Sequence, residues 1–461
     1  MSLDSRRLHA GEAFLALRGP RYDAHDFLPQ ALSLGATCLI VSRLPAPGAL
    51  AKHAAALRNG HGCPSVSAIL VDDTTLALGA LASFHRMRFH GPVIAVTGSC
   101  GKTTTKELLG HVLSTQRRVL KTQGTQNNHI GLPLTLLRLS PEHTTAIVEL
   151  GSNHPGEIAY LASIARPTVA IITNIGPAHL EFFGSMTGVF QEKLSLVEAL
   201  GVGHTAIVPG DQLDVVIEAT RRLPAGARLR TFGTSERCDL QALDIQRRDG
   251  AWTFRLRGIL GEFTLPLPGS HNLENALAAL AGAQVLGVPL ESVREALRTF
   301  RTLSMRSEVL TCGTVTLLND CYNANPLSFA RSLEMFEELD SLRRIVIAGD
   351  MAELGRYAAG AHQAIGRMAA QRGVDVLIAV GAHASDVEQG AREAGCRRVE
   401  TYREVGDLLR ALPQLMRPGD AVLVKGSRRL KLEQVSEFVQ EQFGTAPQAG
   451  ASSTAGACPA R

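Results

Sequence analysis

A chain of 461 residues is long enough for about three domains, and 45% hydrophobic against 20% charged residues supplies several packed cores. Its 47 Lys and Arg against 43 Asp and Glu leave a formal charge of +4 with no basic run, which supports no role at nucleic acid or at a membrane surface. No window approaches roughly 18 uninterrupted apolar residues, Met1–Arg7 lacks an apolar signal region, and the eight cysteines include no C-x-x-C pair, so a cytoplasmic location is expected.

Residues 1–88 form a first block of short strands and helices. Ala13-Phe-Leu-Ala-Leu17 runs into the turn Arg18-Gly-Pro-Arg21, and Thr37–Ser42 and Ala68–Val71 read as further strands. The break at Arg88-Phe-His-Gly-Pro92 opens a second block, residues 89–298. Its β-branched runs Val93–Val96, Thr145–Leu150, Val169–Thr173 and Ala206–Val208 alternate with helical segments, which predicts a mostly parallel sheet with crossover helices. A strand-rich stretch from 229 to 268 reads as antiparallel, and Leu273–Leu286 as a helix stopped by Gly287. The third block, residues 299–443, repeats the pattern at Val315–Leu318, Arg344–Ala348, Val376–Val380 and Ala421–Val424, a second doubly wound α/β unit. From 444 to 461 small residues dominate, and a disordered tail is expected. The fold class is therefore α/β in three domains.

The strongest local signal is Thr97-Gly-Ser-Cys-Gly-Lys-Thr-Thr-Thr-Lys106, which follows a strand and precedes a helix with Leu108, Leu109, Val112 and Leu113 on its apolar positions. Such a turn aims backbone N–H groups and a helix N-terminus at a polyphosphate, so Gly98, Ser99, Cys100, Gly101, Lys102, Thr103 and Thr104 are candidate nucleotide contacts. In that arrangement Lys102 reaches the β- and γ-phosphates and the Thr103 hydroxyl binds Mg²⁺. The common form of the motif has glycine where Val96 stands; here Gly98 opens a shorter loop.

Glu149 ends an apolar strand, where an unpaired carboxylate is costly, and it reads as a Mg²⁺ ligand or a capping carboxylate. His179, in Asn174-Ile-Gly-Pro-Ala-His179, follows another strand and fits either a ligand or a structural histidine. Lys193 lies on a helix and by itself reads as a solvated lysine. Asn272, in Gly269-Ser-His-Asn272, stands where a helix N-cap is expected, which competes with nucleotide contact. Asp320 ends a strand ahead of Cys321-Tyr-Asn-Ala-Asn-Pro326, a segment that also suits a turn. Gly349-Asp-Met-Ala-Glu-Leu-Gly355 and Lys425-Gly-Ser-Arg428 likewise follow strands of the third block. Two such edges facing a phosphate-loop unit suggest a second substrate held against the nucleotide.

Together these segments resemble the Mur ligase family over nearly the whole chain. Asn127-Asn-His-Ile-Gly-Leu-Pro133, Tyr322-Asn-Ala-Asn-Pro326 and Gly349–Gly355 are similar to the members that add a dipeptide. The resemblance implies an ATP-dependent ligase joining D-alanyl-D-alanine to UDP-N-acetylmuramoyl-tripeptide through an acyl phosphate, acting as a monomer. It implies ATP and two Mg²⁺ ions as cofactors, with Glu149, His179, Thr103 and a carbamylated Lys193 as metal ligands. It makes Lys102, Lys193, His179 and Glu149 the catalytic set. Asn272 and Asn275 would face adenine, and Arg306 and Asp320 the phosphate and ribose. Asp4, Ser5 and Arg6 would hold the UDP end, while Asn127, Asn128, Asn323, Asn325, Lys425 and Ser427 are further substrate contacts.

Three departures stand out. The family's leading strand is missing before Asp4, Pro209-Gly-Asp211 replaces an Asn-x-Asp, and Ser304-Met-Arg306 replaces Pro-Gly-Arg. The alternatives are a ligase adding a single amino acid, as folylpolyglutamate synthase does, a non-catalytic nucleotide-binding scaffold, and a plain phosphate-loop kinase. The last would not need the third block.

Overall fold

The computed structural model describes residues 1–44, 66–248, 250–301, 303–339 and 341–444. The tail expected to be disordered lies outside the described residues from 445 on. Three sheets organise the rest. The first is a small parallel one of β1 (Ala13–Leu15), β2 (Cys38–Val41) and β3 (Ser67–Leu70), in that order. Ser2 lies beside it in one parallel bridge to Phe14. Its N–H donates to Ala13 O at 2.8 Å, so a single residue pair extends the sheet beside β1.

The central sheet contains β4 (Val93–Thr97), β5 (Val119–Lys121), β6 (Thr145–Glu149), β7 (Val169–Ile172), β8 (Thr205–Pro209), β9 (Arg228–Gly233), β10 (Leu240–Arg248), β11 (Ala251–Leu256) and β12 (Ile259–Leu265). Their order is β12-β11-β10-β9-β8-β7-β4-β6-β5. Strands β4, β6, β7 and β8 are buried at every residue, as a parallel sheet covered on both faces requires. The expectation of an antiparallel stretch from 229 is corrected at its start. Strand β9 pairs in parallel with β8 from Thr205↔Arg228 onward, and the antiparallel ladder begins only between β10 and β11. The alternation of Arg228-Leu-Arg-Thr with its charged edge hid a strand whose last half is buried.

Two apolar layers cover the central sheet. One is built on Leu108, Leu109, Val112 and Leu113 with the helix Ser270–Val285; the other includes Ile158, Leu161, Leu194 and Val197. The helix Thr74–Met87, placed by sequence in the first block, packs on the helices Gly131–Leu136 and Glu157–Ala165, with Ala82 in the second layer. Arg86 fixes it there, donating to Ala165 O at 2.8 Å and Arg166 O at 2.9 Å, the unpaired carbonyls of a helix end.

The third sheet is β13 (Glu308–Cys312), β14 (Val315–Asn319), β15 (Arg343–Gly349), β16 (Val376–Val380), β17 (Val399–Tyr402) and β18 (Asp420–Lys425), ordered β13-β14-β18-β15-β16-β17 with only β13 antiparallel. In both larger sheets the chain reverses its winding direction beside the central strand. Crevices for ligands form there, at the carboxyl ends. In the central sheet this is the end of β4 between β6 and β7. In the third it is the ends of β14, β18 and β15. Among the described residues no helix is long and apolar enough to cross a membrane.

Candidate active site

The two crevices face each other across one cleft of about 660 Å³. The phosphate loop enters it from β4. Gly101 is the N-cap of the helix Lys102–Leu113 at φ +80°, and a Cβ there would meet Asn275 Oδ1 at 2.1 Å. Gly98 sits at φ +148°, where a Cβ would strike Thr173 Oγ1 at 2.1 Å. Neither position tolerates a side chain, so the glycines let the loop lie flat against the sheet end. Ser99 Oγ donates to Gly176 O at 2.8 Å and Cys100 N–H to Asn174 Oδ1 at 3.0 Å, tying the loop to the segment after β7. Lys102 Nζ donates to Gly98 O at 2.7 Å. Burial holds its pKa below the ordinary lysine value, opposed by the nearby Glu149 carboxylate.

Glu149 is 1% exposed at the end of β6. Its Oε1 accepts from Asn127 Nδ2 at 2.8 Å, while its Oε2 is buried without a hydrogen-bond partner. Such an orphaned acceptor calls for a cation. Lys106 Nζ approaches it only to 3.7 Å. His179 lines the cleft and contributes Nδ1 to a hydrogen bond with Glu353, which leaves Nε2 free among the described residues. Lys193 lies one layer deeper, 1% exposed, and donates to Ser152 Oγ at 2.8 Å beneath the Phe183 ring. Burial, and then the charge of Lys102, push its pKa down to about 7. Neighbouring Glu192 anchors this helix by accepting from Gly156 N at 2.7 Å and Ile158 N at 2.8 Å.

Among the described residues no group of three or more His, Cys, Asp or Glu side chains is close enough to hold an ion. The cleft residues that would hold a divalent cation are Glu149, through its orphaned oxygen, His179 and Thr103.

From the third unit, Asp320 accepts from Ser307 N at 2.9 Å and pairs with buried Lys425. Arg306 stacks over Tyr322 at 4.0 Å, and the Tyr322 hydroxyl meets Thr125 Oγ1 of the central unit at 2.6 Å. Met305 adopts φ +61°, a left-handed backbone that glycine takes without strain and methionine does not. Asn325 is the N-cap of the helix Pro326–Glu337 in a reciprocal capping box with Ser328, and it touches Cys100 Sγ.

The cleft therefore gathers Ser99–Thr104, Asn127, Asn128, Glu149, His179, Asn272, Asn275, Arg306, Asp320, Asn323, Asn325, Lys425 and Ser427. Gly98 and Lys193 lie outside its lining, as do Asp4, Ser5 and Arg6. Asp4 caps the one-turn helix Ser5–Arg7, where its Oδ1 accepts from Arg6 N at 3.0 Å and Ser5 Oγ donates to Gln30 Oε1 at 2.8 Å. The expected N-cap at Asn272 is corrected. The helix begins at Ser270 after Gly269, and Asn272 lies inside its first turn with Nδ2 donating to Pro268 O at 2.7 Å. Asn275 is buried behind Gly101, hydrogen-bonded to Thr105 and Asn272. Asn128 Oδ1 already serves the turn before Gly131.

Sequence reasoning missed Lys106, Asn153 and the role of Glu353. Lys106 shares a helical stripe with Leu109 and Leu113, and a lysine on an inward stripe is the signal that was available. Among the described residues the cleft carries six cationic and four acidic side chains, a balance suited to a polyanion.

A model of the Mur ligase middle domain matches residues 96–283, and one of the Mur ligase, glutamate ligase domain matches residues 305–428. The UDP-N-acetylmuramoyl-tripeptide–D-alanyl-D-alanine ligase of Bacillus subtilis (strain 168) is 34% identical over 94% of this chain and 92% of its own length. A crystal structure of MurF from Acinetobacter baumannii superposes with a TM-score of 0.84 at 34% identity, covering 95% of this chain and 93% of that one. The MurF ligase of Thermotoga maritima in complex with ADP gives 0.81 at 28% identity, covering 96% and 97%.

Proposed function

The chain belongs to the Mur ligase family, and from that premise we propose that it joins D-alanyl-D-alanine to UDP-N-acetylmuramoyl-tripeptide in peptidoglycan precursor synthesis. The observation that carries this reading is the facing of two crevices: a phosphate loop with Glu149 and His179 on one side, and the ends of β14, β15 and β18 on the other.

The terminal carboxylate of the tripeptide attacks the γ-phosphorus of ATP, forming an acyl phosphate and releasing ADP. The amine of the dipeptide then attacks the acyl carbon, and inorganic phosphate leaves as the amide forms. Negative charge concentrates at the phosphoryl group in the first step. Lys102 and the loop N–H groups are fixed there before the reaction, so their stabilisation costs no reorganisation. Magnesium, held by Thr103, Glu149, His179 and a carbamylated Lys193, would supply further electrostatic stabilisation. Arg306 and Asp320 are assigned to the nucleotide's phosphate and ribose, and Asn272 and Asn275 to its adenine. Asn323, Asn325, Lys425 and Ser427 are assigned to the dipeptide side, and Asn127 and Asn128 to the acceptor. Asp4, Ser5 and Arg6, lying outside the cleft, are assigned to the distant UDP end of a long substrate. The reading takes the enzyme to act as a monomer in the cytoplasm, the compartment of its nucleotide substrates.

Phosphate release measured with each substrate omitted in turn tests the reading. Release that requires both the UDP-tripeptide and the dipeptide is expected; release indifferent to the dipeptide would refute it. Carbamylation has a separate support: Lys193 is buried, and among the described residues its Nζ donates to Ser152 alone. Its neutral amine adds CO₂ and loses a proton, which turns a buried cation into an anionic ligand. Protein equilibrated with ¹³C-bicarbonate should show a carbamate resonance that disappears in Lys193→Ala; an unchanged spectrum would refute the modification.

A further inference from the structure

The turn after β15 projects out of the third unit and seats on the segment that carries His179. Glu353 in that turn accepts the Nδ1–H of His179, and its other oxygen lies 3.5 Å from Asn153 Nδ2. The backbones join as well, with Glu181 N donating to Glu353 O at 3.1 Å. Both partners occupy left-handed backbone, His179 at φ +54° and Glu353 at φ +62°. Such residues are strained and persist where their surroundings hold them. Two of them meet here, on either side of an interface between units.

Docking does not need this contact. Arg331 bonds Glu274 at 2.6 Å, Arg247 pairs with Glu338, and the Tyr357 hydroxyl donates to Gly184 O at 3.1 Å. Each of these links the third unit to the central one without touching His179. Glu353 adds something they do not: a carboxylate on the ring nitrogen that faces away from the ligand atom. That partner holds the imidazole in the tautomer with a free Nε2 and fixes its orientation.

We propose that Glu353 is a positioning residue, delivered from the third unit, whose carboxylate orients His179 and thereby makes tight cation binding at the central unit's site depend on closure between the units. This rests on the ligase reading only for the identity of the cation. The phosphate loop would bind nucleotide in either arrangement, but the ion would be held firmly only when the unit that carries the second substrate is seated. Nucleotide bound without the partner substrate's domain in place would then lack a completed centre, which protects ATP from wasteful hydrolysis.

The test is Mn²⁺ binding followed by electron paramagnetic resonance at saturating β,γ-methylene ATP, for the parent and for Glu353→Ala, Glu353→Gln and Tyr357→Phe. Loss of an outer-shell partner commonly weakens metal affinity about 10–100-fold. Glu353→Ala should therefore fall by at least about tenfold. Glu353→Gln, which keeps an acceptor for the Nδ1–H, should fall between Glu353→Ala and the parent. Tyr357→Phe removes an interface hydrogen bond but leaves the carboxylate, and its affinity should stay close to the parent. A smaller loss in Glu353→Ala, or an equal loss in Tyr357→Phe, overturns the proposal. The parent's phosphate release, measured in parallel, separates failure of this inference from failure of the ligase reading.

Discussion

Lys102→Ala should lower ADP formation by roughly 10²–10³-fold or more, the scale of losing one preorganised donor at a developing charge. The side chain is held over the loop by its 2.7 Å bond to Gly98 O, so its cation is already in place when nucleotide arrives. Burial lowers its pKa, and the nearby Glu149 carboxylate opposes that shift. The stability of the fold should hardly change, because Lys102 packs no core and its one hydrogen bond reaches a loop carbonyl. The discriminating measurement is phosphate release at saturating substrates alongside the melting temperature. A variant with near-normal release and an unchanged melting curve would remove the phosphate loop from the mechanism.

The loop was legible from sequence because its chemistry is local: a β-branched strand, two glycines and a helix within ten residues contain the whole device. Glu149 was legible for a related reason, since a carboxylate ending an apolar strand advertises its cost. Lys193 was not, because a lysine on a helix looks the same whether its face meets solvent or the core. Only the family resemblance pointed to it, and its burial becomes evident once the helix Met186–Glu198 is packed. Cap preference favours Asn272, but Gly269 at φ +77° turns the chain and the helix starts directly after it. The packing of the helix Thr74–Met87 on helices of the central unit was not legible, because an apolar face does not name its partner. Glu353 lay inside a motif quoted for its similarity alone. Its contact with His179 spans 174 residues of chain and exists only between packed units, beyond the reach of any periodicity.

The fully buried Lys106 separates holding the site from using it. Its Nζ donates to Thr122 O at 2.9 Å and Gly124 O at 2.7 Å, and it pairs with Glu107 at 2.9 Å and lies 3.7 Å from Glu149. One cation thus closes the end of β5 and balances two carboxylates in the core of the central unit. Lys106→Met matches the chain length but leaves two backbone carbonyls unpaired and Glu149 without its nearest cation, while Glu107 keeps Lys121. Removing one partner from a buried ion pair typically costs about 3–5 kcal/mol. For a unit of this size each kcal/mol shifts the midpoint by about 2–4 °C, so the transition of the central unit should fall by roughly 10 °C. Activity should fall with it even below that temperature, since Glu149 loses the nearest positive charge that steadies it. This is the opposite signature to Lys102→Ala, which removes the chemistry and spares the fold. Differential scanning calorimetry of both variants decides the matter. If Lys106→Met melts within about 2 °C of the parent, well under the loss a buried pair predicts, the lysine is not what holds Glu149 in place.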